Sequence, residues 1–157
     1  NSSYLVESWI NWLGPHSFAI TFVFNRNCIT SKNGGEYIRT FQKIIDKRRL
    51  GGRFYTKPEN ARLRLRVVAE KWNEHPHCHG IIVLPDDDIA SMTFDEIQSC
   101  YSEAWQKVVP GGSLLIAPIT DAPSWIRYSS KERDLLDNAL ALDSLMEGPK
   151  SGWIIPL

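Results

Sequence analysis

Two runs of alternating residues, separated by a short turn, set the tightest constraint on what this chain can fold into. In Leu63-Arg-Leu-Arg-Val-Val-Ala-Glu70, side chains alternate across a strand. Leu63, Leu65, Val67 and Ala69 face one way, and Arg64, Arg66, Val68 and Glu70 the other. Asn73-Glu74-His75-Pro76 turns the chain, and His77-Cys-His-Gly-Ile-Ile-Val-Leu84 reads as a second strand. The two predict an antiparallel hairpin. Alternation sets His77, His79, Ile81 and Val83 on one face of the second strand, and Cys78, Gly80, Ile82 and Leu84 on the other. With the hairpin paired this way, one face gathers two imidazoles, the Glu70 carboxylate and the guanidiniums of Arg64 and Arg66, while helices cover the apolar face.

The rest of the chain supplies those helices. Ser8 to Leu13 predicts a short helix stopped by Gly14-Pro15, and Phe18 to Asn25 a buried strand with Phe18, Ile20, Phe22 and Phe24 on one face. A helix is expected from about Glu36 to Arg48, its stripe Ile38, Phe41 and Ile45, ended by Gly51-Gly52. Residues 53–61 read as a basic loop. Pro85-Asp86-Asp87-Asp88 breaks the chain. Thr93 and Glu96 form a capping box opening a second helix, with Phe94, Ile97, Tyr101, Trp105 and Val108 along its stripe. Ser113 to Pro118 is a fourth strand. Asp121, as N-cap, and Pro123, in the first turn, start a helix that carries Tyr128 and Lys131. The tail to Leu157 is expected to pack as a short strand or lie peripherally. The order β-α-β-β-α-β is that of an α+β, ferredoxin-like (split β-α-β) antiparallel sheet with helices on one face.

At 157 residues, 43% hydrophobic and 23% charged, the chain is expected to be one globular domain spanning 1–157. No apolar run approaches the roughly 20 residues that span a bilayer, so no membrane partner is expected. The amino-terminal stretch lacks a basic segment followed by an apolar core, so no signal peptide is expected. Three scattered cysteines, Cys28, Cys78 and Cys100, make no disulfide framework and suit a reducing cytoplasm. Formal net charge is zero, but residues 36–71 hold eleven Lys/Arg against four Asp/Glu, and residues 86–157 five against twelve. A basic half of this kind suits phosphates, or is simply a solvated surface.

Two imidazoles and one carboxylate, with positions left open, suit a catalytic divalent cation, Mn²⁺ or Mg²⁺, and imidazole favours Mn²⁺. The ligands expected are Glu70, His77 and His79, with His75 in the turn as the nearest rival. Structural zinc is disfavoured, because Cys78 faces away from both imidazoles and no second Cys/His pair completes a tetrahedral site. Tyr128 and Lys131, three apart on a helix, share a face. A tyrosine hydroxyl, with its ordinary pKa of about 10, is a weak nucleophile. A metal that draws charge from the phosphate, and a lysine one turn away, would both assist its attack. Arg64 and Arg66 on the active face, and Arg49 and Arg53 in a segment that mixes cations with Phe54 and Tyr55, are expected to hold single-stranded DNA.

The motif order resembles the HUH endonuclease superfamily, and within it the rolling-circle replication initiator (Rep) nuclease domains. Ile20-Thr21-Phe22-Val23-Phe24-Asn25 is similar, loosely, to the family's first motif. Pro76-His77-Cys78-His79-Gly80-Ile81-Ile82 matches the second, with Cys78 in place of the usual aliphatic residue. Tyr128-Ser129-Ser130-Lys131 matches the third. Glu70 stands where such domains often draw a third metal ligand. The resemblance covers about residues 16–135. It implies an HUH nuclease fold and sequence-specific, metal-dependent nicking and rejoining of single-stranded DNA at an origin or hairpin. The intermediate it implies is a 5′-phosphotyrosine formed by a single tyrosine, and the free 3′ hydroxyl is left for a host polymerase, with a host helicase as a further partner. Location would be the bacterial cytoplasm, or the nucleus for a eukaryotic virus. The chain has no Gly-x-x-x-x-Gly-Lys-Ser/Thr motif, so either a short protein or an excised nuclease domain is expected. The alternatives are a single-tyrosine transposase or plasmid relaxase and, from another class, a non-catalytic ferredoxin-like nucleic-acid-binding module. That module would need exposed aromatics on the central strands.

Overall fold

The computed structural model describes residues 7, 10, 11, 13–26, 29, 31–58, 61–70, 74–126 and 153–155, with the backbone alone at 31, 32, 70 and 153–155. Strand β1 (Ser17–Val23) is followed by helix α1 (Ser31–Leu50), the hairpin strands β2 (Arg64–Glu70) and β3 (His77–Val83), the short helix α2 (Asp86–Ser91), helix α3 (Phe94–Val108) and strand β4 (Ser113–Pro118). Strand β5 (Trp153–Ile155) lies at the sheet edge. The sheet order is β4-β1-β3-β2-β5. The four longer strands are antiparallel to their neighbours, and β5 runs parallel to β2. The molecule is thus α+β, with β3 between β1 and β2 and β1 between β3 and β4. This split connectivity is compatible with a ferredoxin-like fold.

Alternation in β1 explains the core. Phe22 and Phe24 are buried under the helices with Ile38, Phe41 and Ile45 of α1 and Ile97, Tyr101 and Trp105 of α3. Trp105 sits at the centre, with ring centroids 4.8 Å from Phe22 and 5.3 Å from Phe24. Truncating such a side chain to alanine costs about 3–5 kcal/mol. Both helix stripes fall where their spacing places them, except that Phe94 is 38% exposed and rests against Phe18. The capping box at α3 forms, with the Glu96 amide donating to Thr93 Oγ1 and the Thr93 amide donating to Glu96 Oε1. Gly51, at φ +82°, closes α1 with its amide donating to the Lys47 carbonyl, a left-handed cap that glycine adopts without strain.

Three features depart from the sequence expectation. Helix α1 begins at Ser31, a full turn early, because buried Gly34 and Gly35 are packed into the fold, and packing outweighs a helix cost of about 1 kcal/mol per glycine. The Pro85-Asp86-Asp87-Asp88 run does not simply break the chain. Pro85 caps α2, whose first turn holds three carboxylates beside the positive end of its backbone dipoles. Finally, the helices are not confined to one sheet face. Val68 and Ile81 on the histidine face are fully buried, as is Ile126 of a helical turn at residues 122–126. An apolar second face demands cover, and this turn provides part of it. Among the described residues no helix is long and apolar enough to cross a membrane.

Candidate active site

Strand register fixes which residues can meet. His79 lies between Thr21 of β1 and Val68 of β2, and His77 between Val23 and Glu70. Directly opposed residues share a face, so the backbone sets position 70 beside His77 on the histidine face. The Glu70 side chain lies outside the described residues. Cys78 is enclosed on the opposite face among the core aromatics, where burial pushes its thiol pKa far up and keeps it from acting as a ligand.

The two imidazoles are side by side, their centroids 4.6 Å apart and their planes at 83°. His77 Nδ1 lies 2.7 Å from the His75 carbonyl oxygen. A carbonyl only accepts, so Nδ1 carries the proton, and in the neutral ring the lone pair is on Nε2. His79 Nδ1 lies 3.2 Å from Thr21 Oγ1, a hydroxyl that can donate or accept, so this contact positions the ring without fixing its tautomer. Both histidines therefore have the outer hydrogen bond that orients a metal-ligating imidazole. The exposed His75 ring is 5.9 Å from His77. Its carbonyl is the part that meets His77, which gives His75 an orienting role. Among the described residues no group of three or more His, Cys, Asp or Glu is gathered at metal-ligand distances, and Glu70's carboxylate falls outside that set.

The 122–126 turn meets this pair. Asp121 caps it by accepting from the Ser124 amide at 3.1 Å, as its sequence predicts. Trp125 then crosses to the histidine strand, with Nε1 donating to the Gly80 carbonyl at 2.8 Å and the ring 5.8 Å from His79. Gly80 is required there. A Cβ at this position would stand 1.8 Å from the Arg66 carbonyl oxygen and 2.6 Å from Val67 Cα. Beside Trp125, a groove of about 500 Å³ runs over Ala19, Thr21, Leu115 and Ala117 on the same sheet face. Tyr128 and Lys131 lie outside the described residues.

Thr21 and Trp125 were not singled out by sequence reasoning. Thr21 lay inside the strand motif, but its contact with His79 depends on β1 pairing with β3, which no local signal reveals. Trp125 had a readable position, in the first turn of the helix that the sequence predicts after Asp121.

The expected DNA-binding arginines separate into three settings. Arg66 and Arg64 lie opposite Ile81 and Val83 in register, on the histidine face and half-buried. Arg53 is exposed ahead of the turn at Phe54–Thr56, where Tyr55 is 65% exposed. Arg49 does not face solvent. Its side chain is 7% exposed, with Nε 3.1 Å from Asp88 Oδ1 and its terminal nitrogens 3.7 Å from Asp46 and Asp87. Three carboxylates around one guanidinium make Arg49 a structural cation, and its expected role in holding DNA is withdrawn. Asp46 and Asp88 are nearly enclosed, so removing Arg49 would strand buried charge. Tyr101 donates its hydroxyl to Asp88. Burial first, then the Asp88 charge, pushes its pKa far up.

No family model, curated protein or solved structure matches the chain.

Proposed function

We propose that this chain is a single-tyrosine HUH nuclease of the replication-initiator kind, which nicks and rejoins single-stranded DNA. The observation that carries the reading is the pair of oriented imidazoles lying on the sheet face that receives the chain on its way to Tyr128. Ile126, two residues before Tyr128 in the sequence, is buried against the domain.

The donor set fits a divalent cation. His77 and His79 would offer Nε2, and Glu70, opposite His77 in register, would offer a carboxylate oxygen. Imidazole favours Mn²⁺ over Mg²⁺. When bound, the cation would draw charge from the scissile phosphate. Tyr128 Oη would attack phosphorus as the bond to the 3′ oxygen breaks. The phenolic proton would leave to solvent, and the departing 3′ oxygen would take up a proton as a hydroxyl. Lys131, three residues on, would stabilise the phenolate before attack. The 5′ phosphate stays on tyrosine, so the reverse attack by the 3′ hydroxyl reseals the strand without a further energy source. Arg64 and Arg66, and Arg53 with Tyr55, would track the strand by phosphate contact and base stacking.

Incubating the chain with a random pool of single-stranded DNA and Mn²⁺, followed by a denaturing gel, tests this. A slower, covalent protein–DNA band that is lost with EDTA is expected. A chain that retards the pool on a native gel and forms no covalent band would instead be a binding module.

A further inference from the structure

At the far end of β3 from the histidines, another pocket opens where β1 and β2 begin and β3 ends. Val83 lies six positions along the strand from His77, about 20 Å at the ordinary rise. The pocket holds about 150 Å³ and is lined by Arg62, Arg64, His16, Asp86 and the ends of the adjoining strand and turns. It is too small for a whole small molecule, since such sites start at about 300 Å³, but it has room for a single compact group.

Its walls are built. The turn before β1 is tied by the Gly14 amide donating to Ser17 Oγ and the Ser17 hydroxyl donating back to the Gly14 carbonyl, both at 2.9 Å. The Leu84 amide donates to the His16 carbonyl at 2.9 Å, pinning that turn to the strand end. Arg64 is packed so closely against the turn that a Cβ at Gly14 would lie 3.1 Å from its Nη2. Two guanidiniums and one imidazole meet one carboxylate, Asp86, which reaches His16 Nε2 at 3.3 Å while its side chain is 89% exposed. Among the described lining residues the wall is therefore cationic on balance, while the Asp46 carboxylate acts on Arg62 from inside the fold. Arg62 adds a second observation, because its Nε is sealed from water and has no hydrogen-bond partner among the described residues. A buried, unsatisfied donor costs about 1–3 kcal/mol, so the fold leaves part of this pocket-lining guanidinium's hydrogen-bonding capacity unused.

We propose that the Arg62–Arg64–His16 pocket binds one phosphate group. Phosphate presents oxygens on every side, carries charge opposite to the wall, and suits the planar fork of arginine. The group would be either a free or terminal phosphate, or one phosphodiester of a nucleic-acid strand. Arg64 is shared with the strand contact proposed above, so the phosphodiester arm rests on the nuclease reading, while the free-phosphate arm and the covalent chemistry at Tyr128 can fail separately.

Amide NMR on the full chain tests it, with inorganic phosphate as one probe and a dinucleoside monophosphate, which has a single internal phosphodiester, as the other. Saturable shifts are expected at Arg62, Arg64, Leu84 and Asp86, absent with sodium chloride at matched ionic strength. Response to phosphate alone makes this a free-anion site, and response to both makes it a backbone-phosphate site. Arg64→Gln should weaken binding about tenfold or more, through loss of one charge-assisted contact. Asp86→Asn should tighten it, because it removes the one carboxylate among the wall's described residues, and a purely structural pocket would not respond in that direction. His77→Ala should leave the response intact. Should neither probe give a saturable, localised shift, or should chloride reproduce it, the proposal is wrong.

Discussion

The chemistry of His77 is decided by a neighbour's backbone. Because the His75 carbonyl can only accept, Nδ1 must donate, and in the neutral ring Nε2 keeps the lone pair. Thr21 orients His79 from a different strand. Replacing Thr21 with valine keeps the side chain's volume and removes its hydroxyl. Mn²⁺ affinity measured by calorimetry is then expected to fall about 10-fold or more, the usual cost of losing an orienting hydrogen bond, with little change in stability. Equal affinity in both proteins would show that Thr21 does not orient the ligand.

Another residue-scale prediction concerns Asp46. Burial raises its carboxyl above the ordinary 3.8, against the lowering effects of the Leu63 amide and Arg49. The folded chain therefore holds this proton more tightly than the unfolded chain. That stability is fully present below the ordinary value and is lost as pH rises through the raised one. Asp46→Asn keeps an acceptor for the Leu63 amide and removes the titration. In urea unfolding, the stability of the variant relative to the parent should rise as pH increases from the ordinary carboxylate value toward neutrality. A flat difference would mean that Asp46 does not titrate in the folded state as described.

Between β3 and the 122–126 turn, the Trp125 indole donates to the Gly80 carbonyl and sets its ring beside His79. Gly80→Ala forces β2 away from β3, because the new Cβ collides with backbone at Arg66 and Val67. A loss of about 3 kcal/mol or more by chemical denaturation is expected, well above the usual effect of a single methyl group. Trp125→Phe keeps the ring and deletes the donor to Gly80, costing about 1 kcal/mol of stability. Covalent adduct formation should drop much more, because the turn leading to Tyr128 loses its tie to the histidine strand. Proportionate losses in the two measurements would argue that Trp125 only stabilises the fold. The strands themselves were legible, since β2, β3 and β4 each carry an alternation or an apolar run with turn residues at both ends. Helix α2 was not, because Pro-Asp-Asp-Asp reads locally as a break, and the burial of Asp88 between Arg49 and Tyr101 is a tertiary event.

Across the whole molecule, the sequence described one functional face better than it described that face's cover. Alternation put both histidines and position 70 together, and the register agrees. It did not reveal that Val68 and Ile81 beside them are buried, because a face holding two histidines, two arginines and a glutamate reads as solvent-facing. Nor did charge counting distinguish Arg49, which closes a buried network, from Arg53, which is exposed. Cations look alike in sequence until the carboxylates around them are placed. The account as a whole turns on one covalent bond. After incubation with single-stranded DNA and Mn²⁺, nuclease trimming and peptide mass spectrometry should find a nucleotide on Tyr128, with no adduct in Tyr128→Phe or in EDTA. A nucleotide on another residue, or an adduct that survives Tyr128→Phe, would contradict it.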